Sequence, residues 1–295
     1  MNSHYAAQII PQRLPVNDTP TSARKRLGNN GELCSHNYLP DLGVAASVRS
    51  IKMDTAAYAA EAAIEADHWW FAGRRLLFSD LITRFGLAPN AEILDVGTST
   101  GSNLRLLRDL GFDHVIGVDR SPEAIRFCAE KGLGLVRRGD IRALEFPDRR
   151  FDLVLATDII EHVDDDLGAL RELRRVLKPG GYLLLTVPAF RLLWGVQDEV
   201  SHHKRRYSLR NLLSTLRVAE LSPREHFYFN YLLFPLILAA RRLMRIFRIR
   251  VESEGKINAR WLNRVLGAVF QFDVRTAPLI RPPIGVSALV VTTRT

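Results

Sequence analysis

The chain has 295 residues, of which 47% are hydrophobic and 25% are charged, so it can build one large globular domain or one domain with additions. Only two cysteines, Cys34 and Cys128, are present, which argues against a disulfide framework and favours a reducing compartment. The formal net charge of +9 suits nucleic acid, anionic lipid or an anionic substrate, and does not choose among them.

The N-terminal sequence has neither a signal-peptide pattern nor a membrane span. No apolar run reaches the roughly 20 residues that a membrane-spanning helix needs, so we expect a cytoplasmic protein. Residues 1–52 contain Pro11, Pro15, Pro20 and Pro40 and show little periodicity. This composition is typical of a flexible tail, which leaves 53–295 as the predicted domain.

From residue 55 onward the sequence shows regular patterns. A helix is predicted over 55–86, and after it strand and helix patterns alternate. The predicted strands are Glu92–Val96, His114–Asp119, Gly134–Val136, Phe151–Thr157, Tyr182–Val187, Glu225–Phe229 and Val286–Thr292. The predicted helices between them are Asn103–Leu110, Pro122–Lys131, Leu167–Leu177 and Leu209–Ala219. Strands that alternate with helices predict an α/β fold with a mainly parallel sheet.

The first predicted strand runs into a turn that contains glycine, with the sequence Asp95-Val96-Gly97-Thr98-Ser99-Thr100-Gly101. Such a turn lets the backbone approach a ligand closely. A dinucleotide site would need glycine where Ser99 and Ser102 stand. The same letters match the nucleophile elbow of a hydrolase, but that motif normally follows several strands and a glycine-rich loop, and neither precedes it here.

Acidic residues follow the next strands. Asp119 ends the second strand, where a carboxylate can accept hydrogen bonds from both hydroxyls of a ribose. Asp140 follows the third strand, where an acid can accept from an adenine amino group and Ile141 can pack on the ring. The fourth strand ends at Asp158-Ile159-Ile160-Glu161-His162, and Leu177-Lys178-Pro179-Gly180-Gly181 leads into the fifth.

In this order, the segments resemble class I S-adenosylmethionine-dependent methyltransferases, and most of all the branch with the ubiquinone and menaquinone biosynthesis enzymes. The resemblance covers roughly residues 65–210. It implies a Rossmann-like, seven-stranded, mainly parallel sheet with an antiparallel last strand and helices on both faces. It also implies S-adenosyl-L-methionine as cofactor, with Gly97 and Gly101 lining the methionine moiety. Ser99 departs from the family, which often has glycine there. The full predicted cofactor set is Asp95, Gly97, Thr98, Ser99, Gly101, Asp119, Arg120, Asp140, Ile141 and Asp158.

Two segments are candidates for the methyl acceptor. Trp69, Trp70 and Arg74 lie in the helix that the family often places over the cofactor, although ordinary packing explains the tryptophans equally well. The second segment, His202-His203-Lys204-Arg205-Arg206-Tyr207, follows the fifth strand, and Arg206 is its predicted substrate contact. Asp198 and Glu199 could instead pair with its arginines and hold the loop shut. His203 is the predicted general base, with His162 and Tyr207 as further catalytic candidates.

No metal site is predicted from the sequence, because adjacent histidines rarely converge on one ion. A helical insertion is predicted at about 236–278. In it, Ala240, Leu243, Met244 and Phe247 fall on one side of a helix, with arginines on the other. This pattern is typical of a basic helix at an anionic membrane surface, and a core helix with a solvated arginine face is the alternative. A peripheral location at the inner face of the membrane is therefore also considered.

The predicted function is methyl transfer to a small-molecule or lipid-linked acceptor, at oxygen or carbon. A nucleic-acid methyltransferase is one alternative, motivated by the positive charge. Enzymes that methylate base amino groups typically carry an Asn/Asp-Pro-Pro-aromatic motif after the fourth strand, where this chain has Asp158-Ile159-Ile160-Glu161, so nucleic acid is disfavoured as a partner. A module that binds the cofactor without catalysis is a further alternative.

Overall fold

A computed structural model describes residues 58–247 and 259–295. Its seven strands are β1 (Ile93–Val96), β2 (Val115–Asp119), β3 (Leu135–Arg138), β4 (Phe151–Thr157), β5 (Leu177–Pro188), β6 (Leu221–Phe229) and β7 (Ser287–Arg294). The α-helices of the described residues are α1 (58–64), α2 (Trp69–Arg84), α3 (Ser102–Asp109), α4 (Pro122–Glu130), α5 (Asp166–Val176), α6 (Val196–Val200), α7 (Leu209–Val218), α8 (Phe234–Ile246) and α9 (Arg260–Ile280).

The strands form one sheet in the order β3-β2-β1-β4-β5-β7-β6. The pairs from β3 to β5 are parallel, and β7 is antiparallel to both of its neighbours. This arrangement confirms the predicted fold class, including the antiparallel last strand. The strand order reverses between β1 and β4, and in open α/β sheets ligands bind outside the carboxyl ends of the strands at such a point.

Both faces of the sheet are covered at its centre, and successive residues of a strand point to opposite faces. Ile93 packs with α2 and α9 through Leu81 and Phe270. Its neighbour Leu94 packs on the other face with the apolar side chains of α5 and α7. Because the central strands β1 and β4 are covered on both sides, their sequences are almost continuously apolar, as parallel strands between helices are. The edge strand β3, by contrast, is largely exposed.

The helix predicted over 55–86 is in fact two helices. α1 ends at residue 64, a turn covers 65–67, and α2 begins at Trp69. The side chain of His68 caps α2 by accepting a hydrogen bond from the Trp70 N–H, at 3.3 Å. The cap residue has an extended backbone, which ends one helix and begins the next. The prediction of one continuous helix was wrong at this point, because hydrophobic periodicity does not register a cap formed by histidine.

Other bounds also differ from those predicted. β5 begins at Leu177 rather than Tyr182, because Phe151 of β4 already pairs with Leu177 before a shift in register. β6 begins at Leu221 rather than Glu225 and contains Pro223, which lies beside an irregularity in the pairing with β7. The predicted tail over 1–52 lies outside the described residues, as does 248–258, so the insertion consists here of α8 and α9.

Candidate cofactor and acceptor site

The predicted cofactor residues gather at the carboxyl edge of β1, β2, β3 and β4. Gly97 and Gly101 both have positive φ, 78° and 92°. A Cβ atom on Gly97 would lie 2.8 Å from Cδ1 of Ile159, and one on Gly101 would lie 2.4 Å from Cδ1 of Leu133. Side chains would therefore be both strained and obstructed, so the turn needs glycine at both positions. Ser99, which departs from the family pattern, also has positive φ, 49°.

Asp95 lies beneath this turn with none of its surface exposed. One carboxylate oxygen, Oδ1, accepts a hydrogen bond from Asn103 Nδ2 at 2.9 Å, and Asn103 also donates to Thr157 Oγ1 at 3.0 Å. The other oxygen, Oδ2, has no hydrogen-bond partner in the described part of the chain. Burial raises the pKa of Asp95 to about 7. A buried carboxylate with an unused oxygen is suited to a cationic ligand group, because a cation would stabilise the ionised form.

Asp119 ties the glycine turn to the end of β2. Its two oxygens accept hydrogen bonds from the N–H groups of Ser99 and Ser121, each at 2.9 Å. Burial raises the pKa of this carboxyl group, and the hydrogen bonds from the backbone oppose the shift. Each carboxylate oxygen can accept more than one hydrogen bond. Asp119 can therefore support the turn and still receive hydroxyl groups of a ligand.

The residues after β3 lie farther out along the same edge. Asp140 accepts hydrogen bonds from the Arg142 side chain, at 2.6 and 3.0 Å, and these lower its pKa to about 2. Arg120, which is largely exposed, lies 3.7 Å from the same carboxylate. Ile141 is buried in the core, and Thr98 donates a hydrogen bond to the Asp95 carbonyl oxygen. A direct contact with the cofactor stays a prediction for Thr98, Arg120, Asp140 and Ile141.

An acidic pair on α1 and the turn after it also contacts the glycine turn. Glu61 accepts hydrogen bonds from the hydroxyl groups of Ser99, at 2.9 Å, and Thr100, at 3.2 Å. Glu65 accepts from Thr100 and forms an ion pair with Lys131. None of these contacts is predicted from the sequence. A helix over the cofactor site is predicted from the family, but no pattern in the sequence assigns these glutamates to the turn, which lies more than 30 residues away.

Arg74 joins α2 to the end of β4. Its Nη1 lies 2.5 Å from Oδ2 of Asp158, and its Nη2 donates to Thr186 Oγ1 at 3.4 Å. Asp158 itself has a positive φ of 53°, which turns the chain sharply after the strand. The two residues were predicted as an acceptor contact and a cofactor contact. The structure brings them together as an ion pair at the border between the two regions.

Trp69 and Trp70 pack against α9. The Trp70 ring stacks on Phe270, with centroids 5.2 Å apart and an interplanar angle of 12°, and the Trp69 ring meets Phe270 edge to face. Gly73 makes this approach possible, because a Cβ there would lie 2.2 Å from Cδ1 of Phe270. These contacts are those of helix packing, and the acceptor role of the tryptophans stays a prediction.

Asp198 organises the loop after β5 from a fully buried position. Arg206 donates to both of its oxygens, at 2.7 and 2.9 Å, and Nδ1 of His203 lies 2.8 Å from Oδ1. Burial opposes ionisation of Asp198, but the hydrogen bonds from His203 and Arg206 outweigh it and hold its pKa below the usual range. The pairing of Asp198 with an arginine, considered from the sequence, is thus observed for Arg206. Arg205 pairs with Asp166 instead, at 2.9 Å.

Glu161 and His162 lie beside His203. The His162 and His203 rings are 4.7 Å apart, and Nε2 of His203 lies 3.9 Å from Oε1 of Glu161. Burial raises the pKa of Glu161, and burial together with the His203 charge lowers that of His162 to about 4. Two of the predicted catalytic residues therefore meet here, around a buried carboxylate that was not among them.

Tyr207, the third predicted catalytic residue, contacts Asp166 and not the pair of histidines. Its hydroxyl group donates a hydrogen bond to Oδ2 of Asp166, at 2.8 Å. Burial, that hydrogen bond and the charge of Asp166 raise the pKa of the phenol above its ordinary value. The phenol therefore stays protonated over the physiological range and serves as a donor to Asp166. Its catalytic role stays a prediction.

Comparison with known proteins gives a family match over the centre of the chain. Residues 94–185 match the family model described as a methyltransferase domain. Phosphoethanolamine N-methyltransferase 1 of Arabidopsis thaliana is 30% identical over 112 residues, which are 36% of this chain and 23% of the relative. The 2-methyl-6-phytyl-1,4-hydroquinone methyltransferase of Synechocystis is 36% identical over 104 residues, 34% of this chain and 32% of the relative.

A solved structure is similar in fold over most of the chain. A chain in the complex of the Haloferax volcanii Trm112 methyltransferase activator has a TM-score of 0.55 and 21% sequence identity, over 83% of this chain and 97% of that one. At this identity the likeness concerns the fold. The matches to these two curated relatives cover about a quarter to a third of their length. Residues 94–185 nevertheless match the sequence pattern of a methyltransferase domain, and the chain around them has a fold similar to that of this solved structure.

Proposed function

We propose that this chain transfers a methyl group from S-adenosylmethionine to a small-molecule or lipid-linked acceptor. The observation that carries the proposal is the buried Asp95, whose Oδ2 has no hydrogen-bond partner among the described residues and lies beneath a turn kept open by Gly97 and Gly101. A cofactor that carries an amino group fits this arrangement. When bound, S-adenosylmethionine supplies an electrophilic methyl group on its sulfonium.

The residues of the chain would bind the cofactor and position the acceptor. Asp95 would hold the amino group of the cofactor, and Asp119 its ribose hydroxyls. Arg74 and Asp158 form the boundary towards the loop after β5, which is ordered by Asp198. Since positioning can supply most of the rate enhancement in methyl transfer, a boundary held by these ion pairs favours catalysis by orientation.

Small acceptors agree with the relatives that the chain resembles. Their names specify phosphoethanolamine and a phytyl hydroquinone, one anionic and one strongly apolar. The loop after β5 offers Lys204 and Arg205 for an anionic group, although Asp164 and Asp166 already pair with them.

Calorimetric titration of the purified protein with S-adenosylmethionine tests the cofactor assignment. We expect saturable binding of one cofactor per chain. Asp119→Ala should weaken it at least about 10-fold, because hydrogen bonds to a charged group contribute roughly 1.5–3 kcal/mol. Asp113→Ala is the matched control, since Asp113 is exposed and lies in the loop before β2.

The outcomes separate the alternatives. Asp119→Asn keeps an acceptor oxygen for the backbone and serves as a second variant if the alanine variant folds poorly. An absence of binding in a well-folded wild-type protein would overturn the proposal and bring the hydrolase and interaction-module alternatives forward. Equal binding by all variants would remove Asp119 from the site.

The outer face of α8 favours a membrane-bound acceptor. Leu236, Leu243, Ile246 and Phe247 are 52–70% exposed. By contrast, Arg245 of the same helix turns towards the protein, where it donates to the Trp194 carbonyl oxygen at 2.6 Å. The apolar side of α8 is therefore exposed, and Arg242 and Arg245 of the same helix are exposed as well. In the described part of the chain no helix is both long and apolar enough to span a membrane.

We propose that this face of α8 lies on an anionic bilayer surface, with the neighbouring exposed Arg242 near the headgroups. Flotation with vesicles of phosphatidylcholine and phosphatidylglycerol tests this. The protein should float at low salt, and Leu243→Ser combined with Phe247→Ser should remain at the bottom. Val218→Ser, which removes an exposed apolar side chain from α7, is the control and should float. Failure of the wild-type protein to float even at low salt would overturn the proposal.

A further inference from the structure

Three potential metal ligands converge beside the carboxyl end of β4. Glu161, His162 and His203 each offer one ligand atom, and these atoms all lie within 4.8 Å of one another. Glu161 and His162 belong to the short helix Ile160–His162, which begins two residues after Asp158, whereas His203 comes from the loop after β5. The cluster is therefore formed by the fold and not by neighbours in sequence. The adjacent pair His202 and His203, from which the sequence predicts no metal site, is not the pair that meets.

Glu161 is the unusual member. Its side chain is fully buried, and neither of its carboxylate oxygens has a hydrogen-bond partner in the described part of the chain. A buried carboxylate without donors is costly, so such groups are normally paired or coordinate a metal ion. The contact nearest to pairing is Nε2 of His203, at 3.9 Å, which is too long for a hydrogen bond.

Each histidine of the cluster also forms a hydrogen bond with a residue outside it. Nδ1 of His203 lies 2.8 Å from Asp198, a carboxylate that is itself fixed by Arg206 and by the Gly195 N–H at 2.7 Å. His162 forms a hydrogen bond with the backbone of Ser201. Histidines that bind metals almost always use the second ring nitrogen in this way, with a carboxylate or a backbone carbonyl as partner. In His203 this leaves Nε2 for a ligand, and His162 also offers one ring nitrogen to the cluster.

We propose that Glu161, His162 and His203 bind one divalent transition-metal ion. Two imidazoles and one carboxylate suit zinc, iron, cobalt or nickel, whereas magnesium and calcium prefer sites made of oxygen. Bonds of about 2.0–2.2 Å would bring the ligand atoms closer together than they lie here, so the side chains would close by about 1 Å around the ion. Three protein ligands leave a coordination position open, as in catalytic zinc sites.

The open position gives the ion a role at the acceptor, and this step rests on the proposed function. The cluster lies three residues beyond Asp158, at the edge where the cofactor and acceptor regions meet. A hydroxyl, phosphate or carboxylate oxygen of the acceptor is the class of group that would occupy the position. The ion would also take the lone pair on Nε2 of His203. It therefore replaces the general-base role predicted for that residue.

Titration of the full chain with Co²⁺ and Zn²⁺, after treatment with a chelator and without cofactor, tests the site. Co²⁺ reports its ligands through its visible absorption, and calorimetry with Zn²⁺ gives the stoichiometry. We expect one ion per chain. Glu161→Gln and His203→Asn should each weaken binding by at least the roughly 10- to 100-fold that loss of an outer-shell partner costs. His202→Asn is the matched control, because His202 is exposed and adjacent in sequence but outside the cluster.

Each outcome decides the proposal. Binding of one ion that His202→Asn retains and both cluster variants lose would support it. Binding that all variants share, or no binding by the folded wild-type protein, would overturn it. Glu161→Gln keeps the shape of the side chain, so near-ultraviolet circular dichroism can establish that a loss of binding is not a loss of fold. Because cofactor is absent, this result does not depend on the outcome of the titration with S-adenosylmethionine.

Discussion

Asp95→Asn is expected to make the protein without cofactor more stable above pH 7 and, at the same time, to abolish tight cofactor binding. In the folded chain, burial raises the pKa of Asp95 to about 7. In the unfolded chain it lies near its ordinary value of about 3.9. Between these values the unfolded state releases a proton that the folded state keeps, so this residue lowers the free energy of unfolding as the pH rises.

The size of the effect follows from that shift. At about 1.4 kcal/mol for each unit of pKa, the contribution of Asp95 falls by up to about 4 kcal/mol between pH 4 and pH 7 and is constant above. Asparagine does not titrate, and its side chain occupies the same volume beside Asn103. The stability of the variant relative to wild type should therefore increase across this interval.

Denaturant unfolding at a series of pH values between 4 and 8 measures this difference. Asp113→Asn, at an exposed position, is the control and should track the wild-type protein throughout. A difference between Asp95→Asn and wild type that stays constant with pH would show that Asp95 is ionised in the folded protein, contrary to the argument from its burial.

Asp95→Asn should weaken cofactor binding, although it stabilises the protein without cofactor. The amino group of S-adenosylmethionine would stabilise the ionised Asp95, so wild-type affinity should rise as the pH rises towards 7 and then level off. The variant has no charge to offer, so its affinity should be lower and should lack this dependence. Calorimetry over the same pH range checks both expectations. A variant that binds as tightly as wild type would remove Asp95 from the cofactor site.

The contrast between these residues and others shows what sequence can predict. Asp95, Gly97, Gly101 and Asp119 stand at the ends of strands whose apolar patterns are local, so their position at one edge follows from the order of the elements alone. The contact of Glu61 with Ser99 depends instead on how α1 lies across the sheet. No pattern along the chain contains that information.

The loop after β5 illustrates the same limit. From the sequence, Asp198 has several possible partners, and only the fold selects Arg206 and His203 for it and Asp166 for Arg205. For α8 the periodicity predicts two faces, but it does not state which one is exposed. That depends on the carbonyl groups of the loop after β5, which receive the side chain of Arg245.

Asp198→Ala is expected to reduce the free energy of unfolding by about 3–5 kcal/mol, the cost of breaking a buried ion pair from one side. The carboxylate is fully buried, and the Arg206 side chain that it holds is 3% exposed. Arg241 also approaches it, at 3.9 Å. Removal of the carboxylate therefore leaves two buried guanidinium groups without this countercharge, and it frees the ring of His203.

The stability difference between Asp198→Ala and wild type should become smaller as the pH falls. Because the pKa of Asp198 is held below its unfolded value, its ionisation stabilises the fold above about pH 4, and this contribution is lost as the pH falls further. Glu199→Ala, at the next and exposed position, should change stability by no more than about 0.5 kcal/mol. Urea unfolding of both variants at pH 7 and at pH 3 measures the effect. If Asp198→Ala lost no more stability than Glu199→Ala at pH 7, the ion pair would contribute to order in the loop but not to the stability of the fold.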